Sequence, residues 1–326
     1  MRAWPAWRPW LACPLLASFT ACLPEDTRPP PAEITITVSS SELTRTGIER
    51  SLTVDGFDIA IERLLVNLGQ IQIGSNNQAA GCSEYSDPGY TRLYDFTRVE
   101  AEEKLGLAYA LGHCAFGFAL RYPNINGLLG TGASEADQDF MRTPGSDHFV
   151  KNAGISVYVQ GAAARGDETK RFAWAFRKRV GYRSCFVQDG EQKVYGIDLP
   201  TADPVSVNIE LEVEALFRPG LAPALLHFEP YARADADGDG EITINELATV
   251  TVEELTEDGL YQPGEDEPMA GEPEPGVELG CWDDERQLVK VKTLADHAYC
   301  TLVPRMARFE GNGSCANLIG RPPEDD

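Results

Sequence analysis

Ile155-Ser156-Val157-Tyr158-Val159-Gln160, the turn residues Gly166-Asp167-Glu168-Thr169, and Phe172-Ala173-Trp174-Ala175-Phe176 together decide the fold class. Ile155, Val157 and Val159 fall on one side of an extended chain and Ser156, Tyr158 and Gln160 on the other, a period of two that only a strand satisfies. A second strand through Phe172, Trp174 and Phe176 follows the turn, so the stretch is a β-hairpin with Trp174 in the core. Farther along, Val207, Ile209, Leu211, Val213, Ala215 and Phe217 alternate with Asn208, Glu210, Glu212 and Glu214. That pattern predicts one long strand with a buried face and an outer glutamate row.

Ile34, Ile36 and Val38 repeat the alternation, as do Phe57, Ile59 and Ile61. Leu64-Leu65-Val66 interrupts it before Leu68, Ile71 and Ile73 resume, which reads as a bulge or as two successive strands. Half-buried antiparallel strands must cover their apolar sides, and a second sheet does so, so residues 34–220 are expected to form a mainly β, β-sandwich-like domain, with a barrel as the alternative. Helices are few and short. Ser134 with Asp137 makes a capping box ahead of Phe140 and Met141, closed by Pro144. Thr293 with Asp296 makes another, with Leu294, Ala298 and Leu302 on one face and a stop before Pro304.

The amino-terminal residues speak for export. Residues 1–21 carry Arg2 and Arg8, then an apolar stretch from Leu11 to Ala21 that is too short to span a bilayer. Phe19-Thr20-Ala21-Cys22 resembles the lipobox of bacterial lipoproteins, with Phe19 where leucine is usual. The resemblance implies cleavage before Cys22, acylation of that cysteine, and attachment to the outer membrane or cell surface. Residues 22–33 hold Pro24, Pro29, Pro30 and Pro31, a stiff tether of roughly 30 Å. Loss of residues 1–21 removes two arginines and no acid, taking the formal charge from −23 to −25. So acidic a surface repels nucleic acid and leaves the lipid anchor as the expected tie to a membrane. Beyond Cys22 the cysteines are Cys82, Cys114, Cys185, Cys281, Cys300 and Cys315, an even set that export should oxidise. Fifteen connectivities are possible, and short loops favour Cys82 with Cys114 and Cys300 with Cys315, which would leave Cys185 for Cys281.

Asp235-Ala236-Asp237-Gly238-Asp239-Gly240-Glu241-Ile242-Thr243-Ile244-Asn245-Glu246 puts oxygen donors at positions 1, 3, 5, 7, 9 and 12 of a twelve-residue loop, with Gly240 at its turn. This register resembles the EF-hand calcium loop. The resemblance implies Ca2+ held by the side chains of Asp235, Asp237, Asp239 and Glu246, by the Glu241 carbonyl, and through Thr243 by way of a water. It covers only the loop and its outgoing helix, with Ile244, Leu247, Ala248 and Thr251 on one face, because Pro230 interrupts the incoming helix and no second loop of the kind is present. A structural ion within a calcium-binding segment, residues 221–256, follows better than a signalling switch. Residues 257–280 read as an acidic Pro/Gly-rich loop, and residues 281–326 as a disulfide-linked segment packed on the body.

Other clusters have plainer readings. Lys170, Arg171, Arg177, Lys178, Arg179 and Arg183 are expected to pair with the Glu210, Glu212 and Glu214 row across the sheet. His113 beside Cys114 makes a nucleophile only if the thiol is reduced, and His297 with Cys300 makes a zinc site only on the same condition. No hydrolase, zincin, P-loop or dinucleotide signature occurs, and Asp147-His148 is too short a match to be a catalytic pair. The expectation is therefore a non-catalytic, calcium-binding, lipid-anchored envelope protein with a structural or ligand-binding role toward an unidentified protein or glycan. The alternative is a secreted calcium-dependent hydrolase or carbohydrate-binding module.

Overall fold

The computed structural model describes residues 30–79, 81–84, 91–146, 150–177, 179–218, 226–258, 260, 280–282 and 288–317. The chain divides into two units, Met1–Pro30 and Pro31–Asp326. The second unit is mainly β. Its strands begin with β1 (Ala32–Ser40), β2 (Asp58–Gly74), β3 (Ser83–Glu84), β4 (Thr91–Asp95), β5 (Glu103–Leu120) and β6 (Leu128–Leu129). They continue with β7 (Val157–Arg165), β8 (Glu168–Phe176), β9 (Val180–Asp189), β10 (Gln192–Tyr195), β11 (Ile197–Leu199), β12 (Val205–Leu211) and β13 (Glu241–Ile242). After β14 (Gly280–Trp282) and β15 (Leu288–Lys290), which form a separate two-stranded sheet among the described residues, come β16 (Ala307–Phe309) and β17 (Ser314–Asn317).

Among the described residues one large mixed sheet runs in the order β13-β8-β7-β2-β5-β1-β12-β16, with β9, β17 and the shorter strands branching from it. The long strand β5 makes the body sandwich-like. Its first half pairs with β1 and its second half with β2 and β9, so the sheet folds over its own apolar face. At the far edge the chain turns from β16 into β17, and β17 lies along β9. Rings close the space between: Phe116 stacks on Phe309 at 5.2 Å and Phe118 on Tyr182 at 4.4 Å.

Alternation fixes these faces. Ile34, Ile36 and Val38 are wholly buried, and so are Val157, Val159 and Trp174. The β7–β8 hairpin is tighter than a four-residue turn, because Arg165 pairs with Glu168 across Gly166-Asp167. Gly166 takes φ +62°, a conformation that glycine adopts without steric cost. β2 is a single strand, not two. Its register slips between Ile61 and Arg63 and again between Gly69 and Gln72, so Leu64, Leu65 and Val66 are all buried without a break in the strand.

The long strand expected from Val207 to Phe217 ends at Leu211. Leu216 breaks the alternation, and a 3-10 turn over Val213–Phe217 lets Val213, Ala215, Leu216 and Phe217 all enter the core. Glu214 goes in with them, receives the Ser41 hydroxyl at 2.7 Å, and is pushed above the usual carboxylate range by burial. The glutamate row is thus shorter than its spacing implied.

The helices are short: α1 (Glu42–Thr46), α2 (Glu135–Arg142), α3 (Glu229–Ala232), α4 (Ile244–Leu247), α5 (Val252–Glu257) and α6 (Leu294–His297). Both expected capping boxes form, at Ser134/Asp137 on α2 and Thr293/Asp296 on α6. After α6 the chain continues through a π turn, Ala298–Leu302, into a 3-10 turn, Val303–Arg305, that starts with Pro304 in its first positions. Proline is tolerated there because the first N–H of a helical turn needs no partner, so the run does not stop before it.

Two disulfides join Cys82 to Cys114 and Cys185 to Cys315. The first is the expected short loop. The second replaces the Cys300–Cys315 and Cys185–Cys281 pairs, because β17 lies antiparallel to β9, with Ser314 opposite Phe186 and Ala316 opposite Arg183. Cys300 is disulfide-bonded as well. Cys22, the tether up to residue 29, and residues 261–279 of the acidic loop lie outside the described residues.

Candidate metal centre

The loop from Asp235 grows directly out of the core. Leu226, Phe228, Tyr231, Ala234, Ile242, Ile244, Leu247 and Leu255 are buried in the same cluster as the sheet. Phe228 meets Phe57 at 5.1 Å, and Tyr231 meets Trp174 at 5.0 Å. α3 is held at its start by Asp55, whose Oδ2 accepts the N–H groups of Phe228 and Glu229, each at 2.6 Å. Pro230 lies in the first turn of α3, where its ring fits, so it opens that one-turn helix instead of interrupting it. The flanks are therefore single turns: α4 ends at Leu247, and Thr251 caps α5 instead of continuing α4.

Three further contacts set the loop on β8. β13 pairs in parallel with that strand, with Glu241 opposite Arg171 and Ile242 opposite Phe172. The Trp174 indole N–H donates to the Ile242 carbonyl at 2.9 Å, inside the core. Gly240 holds φ +84°, the left-handed turn that sends its carbonyl to the Arg171 N–H at 2.7 Å.

Within this frame Asp235, Asp237 and Asp239 converge, each offering a carboxylate oxygen within 4.8 Å of the others. The Asp235 side chain is fully buried. Its Oδ2 accepts the Gly240 N–H at 3.1 Å and also meets the Lys170 ammonium. The Lys170 hydrogen bond is the main cause that holds the Asp235 carboxyl below its usual range. Its Oδ1 is buried with no hydrogen-bond partner among the described residues. Asp237 Oδ1 accepts the Asp239 N–H at 3.2 Å, and Asp239 Oδ1 accepts the Glu241 N–H at 2.7 Å.

The later positions are arranged differently. Glu246 stands outside the group of three and folds back on its own helix start, accepting the Thr243 N–H at 2.7 Å and the Thr243 hydroxyl at 2.8 Å. Thr243 and Glu246 are thus a capping box on α4, a signal present in the sequence as Thr-x-x-Glu at the positions also assigned to ligands. To serve as the bidentate ligand Glu246 has to leave that cap. The donor set fits a hard divalent cation: every side-chain donor is oxygen, and one is a buried carboxylate oxygen with nothing to accept from.

No family model, curated protein or solved structure matches this chain.

The basic cluster disperses. Lys170 meets Asp235, Arg171 meets Glu62 at 3.4 Å, and Arg177 donates to the Thr143 carbonyl at 3.0 Å. Lys178 lies outside the described residues. None of these three contacts involves the glutamate row, because β12 sits between β1 and β16, at the opposite end of the strand order from β8. Glu212 is met instead by Arg308 at 3.1 Å and Arg218 at 3.9 Å. Cys114 and Cys300 are both oxidised, so neither is a nucleophile or a zinc thiolate. Asp147 and His148 lie outside the described residues.

Proposed function

We propose that the Asp235–Glu246 loop is a structural calcium site, and that it stiffens the β-rich body of an exported, lipid-anchored envelope protein that performs no chemistry of its own. The observation that carries this reading is the buried Asp235 Oδ1, without a hydrogen-bond partner among the described residues, beside the carboxylates of Asp237 and Asp239. Lys170 and Gly240 serve the other oxygen of this carboxylate, but a buried acceptor left without a partner is still costly, and a divalent cation removes that cost. Oxygen-only donors select calcium or magnesium over softer metals. Disulfides belong to an oxidising compartment, and outside cells calcium is abundant enough to fill sites with dissociation constants near 10⁻⁴–10⁻³ M. No helix of the described residues is long and apolar enough to cross a membrane, and attachment rests on the lipobox-like Phe19-Thr20-Ala21-Cys22.

The site holds together β8, β13 and the turns on either side, so its work is mechanical. Calorimetric titration of calcium into the exported chain tests it, with Asp239→Asn and Glu246→Gln alongside. One ion per chain is expected, with at least tenfold weaker binding in each variant. Equal affinity in wild type and Asp239→Asn refutes the site, and mass spectrometry of the mature amino terminus tests the anchor at Cys22.

A further inference from the structure

We infer that Lys170 is a resident counter-cation that calcium must work against, and that it sets the affinity of the loop. This rests on the calcium reading above and names how that site is regulated. Lys170 projects from β8 with its side chain 18 % exposed, and its ammonium is paired with the buried side-chain carboxylate of Asp235. In sequence the two are 65 residues apart, brought together by the β13–β8 pairing.

The two oxygens of Asp235 have separate duties. Oδ2 takes the ammonium and the Gly240 N–H, and Oδ1 is bare. The lysine therefore does not occupy the metal's own position but stands behind the carboxylate, about 5 Å from an ion bound at ordinary calcium–oxygen distances. At that separation a single positive charge opposes a double one strongly enough to cost about tenfold in affinity, even when screened as fully as in water.

An opposite effect competes. Lys170 helps to fix Asp235, and a looser ligand binds less well. Yet Asp235 keeps the Gly240 hydrogen bond and its burial when the lysine is changed, so the loss of repulsion outweighs the loss of anchoring. In the metal-free chain the same ammonium offsets part of the repulsion among the three aspartates. Lys170 therefore stabilises the empty loop and weakens the filled one. Such an arrangement reserves loading for surroundings rich in free calcium.

The test is calorimetric titration with calcium chloride, and separately with magnesium chloride, of the full exported chain carrying Lys170→Met, Lys170→Gln or Lys170→Arg. Thermal melts in chelator and in calcium accompany it. Lys170→Met and Lys170→Gln are expected to bind calcium about tenfold or more tightly and to melt lower than wild type in chelator. Lys170→Arg, which keeps the charge, is expected to stay near wild type. Lys170→Gln retains a donor for Asp235 and separates charge from anchoring should Lys170→Met fail to fold. Wild-type binding with unchanged or weaker affinity in the neutral variants overturns the role of the lysine alone. Absence of calcium binding in wild type and variants alike overturns the site itself.

Discussion

Replacing Trp174 by phenylalanine probes how firmly the loop is built into the core. The indole is 1 % exposed, stacks on Phe172 at 4.7 Å, and donates to the Ile242 carbonyl at 2.9 Å. Phenylalanine keeps much of the stacking but cannot donate. The Ile242 carbonyl is left unpaired in a buried setting, at about 1–3 kcal/mol. The smaller ring also leaves a void of roughly 40 Å³, worth about 1 kcal/mol at the usual cost per unit of cavity volume. The expected loss is therefore about 2–4 kcal/mol. In urea titration followed by far-ultraviolet circular dichroism, with a slope near the upper end for a chain of this size, the midpoint falls by about 1 M. β13 should detach before the sheet melts, because Glu241 and Ile242 depend on this contact, so calcium affinity falls as well. A midpoint shift below about 0.2 M means that water satisfies the carbonyl and that the indole is not a strut, which refutes the reasoning.

The acid–base behaviour carries a second expectation. Burial raises Glu210, Glu214 and Glu310 above ordinary glutamate. A carboxyl that holds its proton more tightly when folded contributes stability below the unfolded value of about 4.3, and that contribution is lost as pH rises through the folded value. At Asp137 burial pulls upward but the hydrogen bonds from Arg63 and Ser134 outweigh it, so its contribution is present above about pH 3.9 and is lost as pH falls through its lowered folded value. Melting temperature in chelator should therefore peak on the acidic side, a little above pH 4, and decline toward neutrality; a steady rise from pH 4.5 to 7.5 contradicts this balance. For the disulfides, loop entropy gives about 4 kcal/mol for Cys82–Cys114 and about 5 kcal/mol for Cys185–Cys315, with separations of 32 and 130 residues. Replacing both cysteines of the second pair by alanine should destabilise the chain more than the same change in the first, and the reverse order in urea contradicts the chain-entropy account.

Local chemistry was legible wherever a single element decided the outcome. The period of two placed β1, β7 and β8 correctly, and the Ser134/Asp137 and Thr293/Asp296 pairs marked two helix starts. The carboxylates of Asp235, Asp237 and Asp239, singled out by their spacing, lie close together. What stayed hidden depends on which strands become neighbours. Lys170 looked like one charge among several on a solvated face, and no spacing rule connects it to Asp235. Cys315 was matched to its nearest cysteine because nothing in the local pattern says that β17 returns to β9. Alternation also misled at Val213–Phe217, where Leu216 is apolar at a position the pattern assigns to the polar face and the chain coils so that it enters the core. Glu246 shows a different difficulty, since one Thr-x-x-Glu spacing serves both a helix cap and a metal ligand.

Terbium luminescence measures the calcium assignment most directly, because the lanthanide substitutes for calcium among oxygen ligands and glows only when an excited aromatic ring is close. Trp174 is bonded to the Ile242 carbonyl inside the loop, so excitation of its indole should light a terbium ion held there. Sensitised emission is expected to saturate at one ion per chain, to be displaced by calcium, and to be lost in Asp239→Asn. Absence of emission from wild type, or equal emission from wild type and Asp239→Asn, contradicts a calcium ion among Asp235, Asp237 and Asp239.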